Sequence, residues 1–394
     1  MNVLFIGYWS VNDPLTTSTI IPHLKILEEM DEVKKVMFVT PESPANKIIF
    51  EHAFQKVEHH ILPMKNNFPA LIARLLDFLL FPKIITKLCR KNKVDKIIAR
   101  SSLAGAMAWM VHQKLKIPFA VESFEPHAEY MLESGVWTSY DPRYIFQKYW
   151  ERKQQQHAQL LMPVASGYKN FLIENGINPE RIITVPCSVD AKRFQFNKEN
   201  KMKFREELKL PAKCIAGIYV GKFGGLYYRE EAIRLFKAAF DYLEDFRLII
   251  LTAQVEEATF LCQKYGLPSA AITINKAKYE AIPHYLAAAD FAYATYQYSP
   301  SKKYLNPVKV GEYWAAGLPI IITKGTGDDA SIIEEKRAGA IYDPDLPEYQ
   351  YMYMQIGGLL EETGIRKRIS QLAVDYRNIN ACRYAYRRFL VEQS

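Results

Sequence analysis

The stretch Ser299–Thr323, SPSKKYLNPVKVGEYWAAGLPIIIT, encodes a complete helix and the strand that follows it. Asn306 is a favourable N-cap residue, and Pro307 suits the first helical position because the N–H that it lacks has no partner there. A glycine and a proline then end the helix. The sequence therefore predicts a helix over about Pro307–Ala316 that leads directly into a strand over Pro319–Thr323.

The start of this helix is suited to bind a phosphate. Its first N–H groups have no partners within the helix, and the helix dipole adds partial positive charge. Lys309 lies in the first turn, where a cation opposes the dipole unless an anion is bound. Glu312 lies three residues further on, and its carboxylate can accept hydrogen bonds from a vicinal diol such as a ribose. A solvated Lys309–Glu312 surface pair explains the same spacing without a ligand.

Short apolar runs alternate with longer stretches of helical character over the rest of the chain. Runs of this length and near-continuous apolarity are typical of parallel strands buried on both faces. The predicted strands are Val3–Ile6, Lys35–Val39, Lys96–Ala99, Phe119–Glu122, Leu160–Val164, Ile182–Val185, Ile215–Val220, Arg247–Leu251, Ala270–Ile274, Phe291–Ala294 and Pro319–Thr323. This order predicts an α/β protein with two doubly wound sheets in series.

The length of 394 residues also favours two domains, because one hydrophobic core rarely organises so long a chain. A polar segment without a strand pattern, residues 188–212, separates the two series of strands. The predicted domains cover residues 1–193 and residues 194–372. The last helix, around Ile365–Glu392, is amphipathic, and residues 373–394 are expected to pack back on the first domain.

Composition narrows the class of protein. Hydrophobic residues make up 49% and charged residues 24%, which argues against extensive disorder. The net charge of +8 fits anionic small molecules or an anionic membrane and is too small to indicate a nucleic-acid partner. The five scattered cysteines form no metal-binding pattern and predict reduced, buried thiols in a cytoplasmic protein. The first residues look like a strand rather than a signal peptide, and no apolar run is long enough for a membrane span.

Four segments in sequence order resemble family-4, retaining glycosyltransferases of the GT-B class. The strongest is the run from Pro307 to Pro319, PVKVGEYWAAGLP, which resembles the family's donor-binding segment. The other three are Leu161–Ser166 with Asn175–Phe194 (NGINPERIITVPCSVDAKRF), Ile282–Ala294 (IPHYLAAADFAYA) and Gly327–Asp343 (GDDASIIEEKRAGAIYD). The resemblance implies two Rossmann-like domains that face each other across a cleft, an N-terminal acceptor-side domain and a C-terminal donor-binding domain. It also implies that the C-terminal helix crosses back to the N-terminal domain.

The resemblance also implies a nucleotide-diphosphate sugar of the UDP or GDP type as the donor. In the family, two glutamates separated by seven residues bind the donor, one at the sugar and one at the ribose. Glu312 matches the second glutamate, whereas the first falls on Tyr304. A phenol cannot replace a carboxylate that accepts from two hydroxyls, so the transferred sugar is left open. The implied donor-binding segment comprises Tyr304, Leu305, Asn306, Pro307, Val308 and Glu312.

A second phosphate contact is expected in the loop of Tyr219–Phe236, YVGKFGGLYYREEAIRLF. Gly224 and Gly225 allow the backbone to approach an anion closely before the next helix begins. The family places a basic residue just after the strand glycine, and Lys222 fits that position. Arg229 is the nearest candidate for a second basic residue, although its spacing differs by a residue or two. A flexible, solvated Lys222 is the alternative interpretation.

The N-terminal half contributes two candidate loops. The first strand leads into GYWSVNDPLTTS over residues 7–18, whose hydroxyl groups either bind a phosphate or sugar or cap the next helix; we expect at least one to cap. The strand Phe119–Glu122 is followed by Glu125 and His127, and strand ends of this kind face the ligand crevice. By resemblance His127 contacts the donor sugar; a loop histidine or a structural hydrogen bond is the alternative. Glu125 is the alternative group that could orient the acceptor.

The segment Lys65–Arg100 mixes Leu, Ile and Phe at helical spacing with nine Lys or Arg and two Asp. Such a segment can lie on an anionic membrane surface, where lipid-linked acceptors reside, or it can pack on the sheet with a solvated basic rim. The expected partners are therefore a nucleotide sugar, a glycan or lipid-linked acceptor and an anionic membrane at residues 65–100, with no nucleic acid.

The expected reaction is transfer of a sugar with retention of configuration, in polysaccharide or glycoconjugate synthesis. Lys222, Lys309 and the helix dipole would stabilise the leaving diphosphate, so no cofactor, metal or dedicated protein base is expected. Asp343 and Asp345 match a metal-binding DxD pattern but are typical of a turn. Two alternatives stay open: a nucleotide-sugar 2-epimerase, and a non-catalytic nucleotide-sugar-binding protein on the same fold.

Overall fold

A computed structural model describes residues 1–45, 47, 48, 50 and 53–392 of the chain, without the side chains of Ala70 and Leu71. Gln393 and Ser394, at the end of the predicted C-terminal segment, lie outside the described residues. The chain divides into two compact units. The first consists of Met1–Pro186 with Ile379–Ser394, and the second of Cys187–Asn378.

The strands of the described residues form one parallel sheet in each unit. The strands are β1 (Asn2–Ile6), β2 (Lys35–Glu42), β3 (Val57–Pro63), β4 (Lys96–Arg100), β5 (Phe119–Ser123), β6 (Leu160–Pro163), β7 (Ile215–Val220), β8 (Phe246–Leu251), β9 (Ile272–Asn275), β10 (Phe291–Ala294), β11 (Ile320–Thr323) and β12 (Gly339–Tyr342).

Helices alternate with these strands, as parallel crossover connections require. The helices are α1 (Pro14–Thr19), α2 (Ile21–Glu29), α3 (Ala70–Asn92), α4 (Ser102–Leu115), α5 (His127–Glu133), α6 (Pro142–His157), α7 (Ser166–Glu174), α8 (Lys198–Glu207), α9 (Glu230–Tyr242), α10 (Val255–Lys264), α11 (Ile282–Ala288), α12 (Val308–Ala315), α13 (Gly327–Glu335), α14 (Tyr349–Glu361), α15 (Ile365–Tyr376) and α16 (Asn380–Leu390). In the part of the chain that the structure describes, none of them is long and apolar enough to cross a membrane.

The sheet of the first unit has the order β3-β2-β1-β4-β5-β6. Its central strand β1 is apolar and fully buried from Val3 to Ile6, because helices cover both faces of the sheet. The last helix, α16, joins this core: Tyr386 and Phe389 pack in the same cluster as Phe5. The chain therefore returns to its first unit at its end, as the sequence predicted.

The sheet of the second unit has the order β12-β11-β10-β7-β8-β9. From β7 the chain winds to β8 and β9 on one side and then returns to β10 on the other side of β7. The carboxyl ends of β7 and β10 therefore flank a topological switch point, which is where open α/β sheets bind ligands.

The structure differs from the prediction at four elements. The run Ile182–Val185 is not a strand; only Ile182 forms an isolated bridge to β6. Strands β3 and β12, which lie at the edges of the two sheets, were not predicted: β3 (VEHHILP) contains charged and polar residues, and β12 (GAIY) has only four residues. The predicted helix Ile365–Glu392 is interrupted after Tyr376, where Arg377 leaves the helical conformation and its side chain pairs with Asp329.

Candidate functional site

The glycine loop of the second unit follows β7. Gly224 and Gly225 have φ angles of 81° and 64°, a region that favours glycine. The side chain of Gln254 fixes the loop by accepting a hydrogen bond of 2.9 Å from the backbone N–H of Phe223. Lys222 is exposed at the start of this loop. The loop thus has a fixed backbone and an exposed cation.

Arg229 lies at the end of the same loop, and carboxylates already engage it. Its guanidinium is 2.5 Å from a carboxylate oxygen of Glu257 and 3.5 Å from one of Glu230. The side chain is exposed and passes beside Gly224. A phosphate contact by Arg229 would have to compete with these ion pairs.

The segment before α12 is held by buried polar contacts. Pro307 is the N-cap of α12 and has no side-chain cap, so the prediction that Asn306 caps this helix is wrong by one residue. The Oδ1 atom of Asn306 instead accepts from the backbone N–H of Cys187 at 2.7 Å and from the guanidinium of Arg377. Arg377 is itself paired with Asp329 at 2.6 Å in a fully buried ion pair. Asn306 thus positions the helix start rather than capping it.

Lys309 projects from the first turn of α12 into a group of tyrosine rings. Its Nζ atom is enclosed and has no hydrogen-bond partner among the described residues. The ring centroids of Tyr227, Tyr296 and Tyr219 lie 4.8, 5.3 and 5.4 Å away. Burial lowers the pKa of Lys309 to about 8, so the side chain is still mainly protonated at neutral pH.

Glu312 lies one turn further along α12 and is only 6% exposed. Its carboxylate accepts a hydrogen bond of 2.9 Å from the hydroxyl of Tyr279, whose ring stacks under the guanidinium of Arg193 at 4.3 Å. Burial raises the pKa of Glu312 to about 7. No ion pair joins it to Lys309 in the described part of the chain. The solvated surface pair is therefore wrong: both charged groups are enclosed.

The loop before α12 is fixed by a close backbone contact. Tyr304 and Leu305 are buried, whereas Val308 is partly exposed. A Cβ atom at Gly327 would lie 1.8 Å from the carbonyl oxygen of Leu305, and Gly327 has a φ angle of 50°. Only glycine fits there, so the first turn of α13 holds this loop in place.

In the first unit, the structure brings Glu125 and His127 together after β5. The Nδ1 atom of His127 is 2.7 Å from a carboxylate oxygen of Glu125. Burial alone would lower the pKa of His127, but the hydrogen bond to Glu125 and the charges of Glu125 and Glu151 outweigh it and raise the pKa. Glu151 is buried beneath them, and burial raises its pKa to about 7. The result is a carboxylate–imidazole pair with one partly exposed ring.

The loop after β1 folds on itself. The carboxylate of Asp13 caps α1 by accepting from the backbone N–H of Leu15, so the prediction that a Thr or Ser hydroxyl caps this helix is wrong. The hydroxyl of Thr16 instead donates to the carbonyl oxygen of Ser10 at 2.8 Å. An aspartate before a proline is the better cap, because its charge also complements the helix dipole.

One group of metal-ligand residue types occurs in the described residues: His23, Glu122 and Cys382, all buried in the first unit. The carboxylate of Glu122 is already neutralised by the guanidinium of Arg100 and accepts from the hydroxyl of Tyr386 at 2.6 Å. These contacts make the group a structural network that ties α16 to the ends of β4 and β5.

The basic segment over residues 65–100 contains α3. One face of α3 packs inward: the ring of Phe78 contacts Phe146 at 4.9 Å. On the opposite face Ile72, Leu75 and Leu79 are 50%, 53% and 54% exposed. One face of α3 is therefore packed against the protein, as expected for a helix that covers the domain. The other face carries an exposed apolar stripe flanked by basic residues.

Sequence reasoning did not find the tyrosine rings that surround Lys309. The rings around Lys309 come from β7 (Tyr219), from the glycine loop (Tyr227) and from the second residue after β10 (Tyr296). They are far apart in sequence, so no local pattern joins them. Their signal is positional, since each lies at or beyond the carboxyl end of a strand next to the switch point.

Solved structures resemble the chain over nearly its whole length. Sucrose-phosphate synthase from Thermosynechococcus elongatus has a TM-score of 0.74 at 16% identity, covering 98% of this chain and 96% of that chain. Anabaena HepE in complex with UDP and glucose has a TM-score of 0.72 at 12% identity, and WaaG, a glycosyltransferase involved in lipopolysaccharide biosynthesis, one of 0.71 at 13%; both comparisons cover 100% of each chain. The chain has the GT-B fold.

This finding confirms the predicted fold class, with two Rossmann-like units. No protein-family model matches the sequence, and no curated protein is detectably similar to it. At such low identity the structural likeness establishes the fold, and the activity has to be argued from the residues of the site.

Proposed function

We propose that this protein is a glycosyltransferase that moves a sugar from a nucleotide-diphosphate sugar to a glycan or glycolipid acceptor with retention of configuration. The observation that carries the proposal is the ammonium group of Lys309, which is enclosed at the switch point without a hydrogen-bond partner in the described residues. A buried cation of this kind is costly unless an anion or several acceptors surround it.

The surroundings of Lys309 fit a diphosphate. Tyrosine ring faces attract a cation, but each contributes only about 0.5–2 kcal/mol, less than full hydration of an ammonium group. The free N–H groups at the start of α12 add positive potential beside Lys309. A diphosphate at this position would satisfy both the ammonium group and the helix start, and the exposed Lys222 can close on it from the glycine loop.

Glu312 fits the ribose of the same donor. Its carboxylate is buried, accepts one hydrogen bond from Tyr279 and has further lone pairs. A ribose diol supplies two hydroxyl donors. Burial costs free energy for the charged form of Glu312, so the carboxyl group is partly protonated at pH 7. Two hydrogen bonds from the ribose would offset this cost and favour the carboxylate.

The proposed chemistry is substitution at the anomeric carbon. The bond from this carbon to the diphosphate oxygen breaks while the acceptor oxygen bonds to the carbon on the same face. The departing phosphate oxygen takes the acceptor proton, so no protein base is needed. Lys309, Lys222 and the α12 dipole stabilise the negative charge that develops on the leaving group. In the first unit we assign sugar contact to His127 and acceptor orientation to Glu125.

A lipid-linked acceptor is consistent with α3. The exposed stripe of Ile72, Leu75 and Leu79 can enter the interface of a bilayer while neighbouring Lys and Arg side chains meet anionic headgroups. We therefore propose peripheral docking of this helix on an anionic membrane.

Calorimetric titration with UDP and with GDP tests the donor site. We expect one of them to bind, and Lys309→Met to weaken that binding by about 10- to 100-fold, the range for a charge-assisted hydrogen bond. Lys336→Met, an exposed lysine at the end of α13, is the matched control and should leave the affinity unchanged. Equal affinity of wild type and Lys309→Met would contradict the proposal.

Product analysis separates the proposed reaction from the two alternatives. Incubation of the protein with UDP- and GDP-sugars and a panel of glycan and lipid-linked acceptors, followed by NMR of the anomeric proton, should show a new glycoside with the donor's configuration. Epimerised donor would favour the 2-epimerase, and binding without turnover would favour the non-catalytic alternative.

A further inference from the structure

A second lysine of the donor-binding unit is buried without a partner. Among the described residues, two lysines have an enclosed Nζ atom that makes no hydrogen bond: Lys309 and Lys302. Lys302 is 3% exposed and lies in the 3-10 helix Pro300–Tyr304, which follows β10. The hydroxyl of Ser299, in the same loop, is also buried and unpartnered. Two hydrogen-bond donors are therefore enclosed in one loop without an acceptor.

The side chain of Lys302 lies close to solvent, although it is enclosed. Its alkyl chain passes 3.9 Å from the Cβ position of Gly325, in the loop after β11. Its Nζ atom is 4.9 Å from the ring centroid of Tyr298, a side chain that is 63% exposed. The ammonium group therefore lies next to an exposed aromatic ring in the loop that follows β10.

The nearest protein charges do not neutralise Lys302. Asp343 and Asp345 raise its pKa only through space, and Asp343 is already paired with Lys324 at 2.7 Å. Burial outweighs these charges and lowers the pKa of Lys302 to about 8, so the group is mainly protonated at neutral pH. An enclosed ammonium and an unpartnered hydroxyl in the same loop are suited to a ligand carboxylate, which can accept from both.

We propose that Lys302 and Ser299 bind a carboxylate on the transferred sugar, so that the donor is a nucleotide-activated acidic sugar of the uronic acid class. This inference rests on the proposed function, in which Lys309 and the start of α12 hold the diphosphate. The loop of Lys302 leads directly into that helix start. A sugar bonded to a phosphate at α12 therefore lies next to this loop, and its carboxylate is the anion left to meet Lys302.

Titration of the wild type with UDP, UDP-glucose and UDP-glucuronate tests the inference, because the two sugars differ in one carboxylate. We expect UDP-glucuronate to bind at least about tenfold more tightly than UDP-glucose. Lys302→Met should abolish this preference and change the affinity for UDP by less than about twofold. Lys303→Met, the exposed neighbour in the same turn, is the control and should keep the preference. If GDP proves to be the nucleotide, GDP-mannose and GDP-mannuronate form the equivalent pair.

Each other outcome overturns the inference in a distinguishable way. If UDP binds through Lys309 but UDP-glucuronate binds no more tightly than UDP-glucose, the carboxylate site is wrong and the proposed function stands. If Lys302→Met lowers the affinity for UDP as much as the affinity for UDP-glucuronate, Lys302 binds the diphosphate instead. If neither UDP nor GDP binds, both proposals fall. If Lys302→Met does not fold, the wild-type preference decides alone, and Lys302→Arg should retain it.

Discussion

The Nζ atom of Lys309 lies 2.8 Å from the position that a Cβ atom would occupy at Gly221. Gly221 directly follows β7, and Lys309 belongs to the first turn of α12. The missing side chain at residue 221 therefore gives the ammonium group its place among the tyrosine rings. The hydroxyl of Tyr219 is 3.1 Å from the same point, so little other space exists.

Gly221→Ala should displace Lys309 without unfolding the protein. The new methyl group would meet the flexible end of a lysine side chain rather than backbone, so the cost in stability is small. We expect the affinity for the nucleotide diphosphate to fall by about tenfold or more, because a charge-assisted contact is lost or lengthened. Titration calorimetry measures the affinity, and thermal unfolding checks the fold.

Gly358→Ala is the matched control for this substitution. Gly358 lies in α14, and a Cβ atom there would meet no heavy atom within 4 Å. Alanine favours the helix over glycine, so stability should rise slightly and nucleotide affinity should stay the same. If Gly221→Ala binds the nucleotide diphosphate as tightly as the wild type, the position of the Lys309 ammonium group does not depend on the space at residue 221.

Nucleotide-sugar binding should be strongest between about pH 7 and pH 8. Below pH 8, the pKa to which burial lowers Lys309, the ammonium group is charged; above it, the attraction to the diphosphate is lost. Above pH 7, the pKa to which burial raises Glu312, the carboxylate accepts from the ribose; below it, the protonated group has lost acceptor capacity. Affinity should therefore decrease on both sides, by at most tenfold per pH unit for each group.

Two variants test which residue causes each of the two decreases in affinity. Lys309→Met should remove the alkaline limb, and Glu312→Gln should remove the acid limb. A nucleotide sugar is the ligand to titrate, because the terminal phosphate of a free nucleotide has its own pKa near about 6. A profile that keeps both limbs in both variants would assign the titration to other groups.

The sequence predicted the parts of the site that are local in the chain. Lys309 and Glu312 lie in one helix directly after Pro307, so their spacing alone could place them together at the helix start. Sequence could not show that Lys309 is enclosed, because the enclosing tyrosines come from other strands. Spacing likewise gave no sign that Asn306 would turn away from the helix start, since its partners Cys187 and Arg377 are 119 and 71 residues away.

Burial on both faces made the central strands predictable from the sequence, and the edge strands lack this pattern. Central strands such as β1 and β7 are continuously apolar, because helices cover both of their faces. Edge strand β3 has the sequence VEHHILP with an exposed glutamate, so its pattern is not that of a buried strand. Strand ends and helix breaks that depend on distant ion pairs, as at Arg377, have no local signal.

Tyr386→Phe should destabilise the first unit by about 1.5–3 kcal/mol, the range for a hydrogen bond to a charged group. The Tyr386 hydroxyl donates to the buried carboxylate of Glu122 at 2.6 Å. Burial alone would raise the pKa of Glu122, but His23, Arg100 and this hydroxyl outweigh it and lower the pKa to about 2. The carboxylate is therefore charged at neutral pH and would lose one of its donors.

Urea unfolding at neutral pH measures this effect. Tyr384→Phe is the matched control, because Tyr384 lies on the same helix with an exposed side chain. Its loss of a hydroxyl should change the free energy of unfolding by less than about 0.5 kcal/mol. Equal stability of the two variants would mean that the contact with Glu122 contributes nothing net.

Replacing the exposed stripe of α3 should abolish binding to anionic vesicles. The variant combines Ile72→Gln, Leu75→Gln and Leu79→Gln, which keeps helix-forming residues and the basic charges. Burial of one such side chain stabilises the bound state by up to about 1.5–3 kcal/mol, so loss of three should reduce the partition coefficient at least tenfold. Cosedimentation with vesicles that contain phosphatidylserine measures it.

The same assay separates the contribution of charge to vesicle binding from the contribution of apolar contact. Wild-type binding should weaken steeply between about 0.1 M and about 1 M salt, where the screening length falls from about 10 Å to about 3 Å. A control variant with Met202→Gln, Met354→Gln and Val374→Gln removes equally exposed apolar side chains from helices of the second unit and should bind like the wild type. Binding that is absent at every salt concentration would mean that the stripe of α3 meets water and not a membrane.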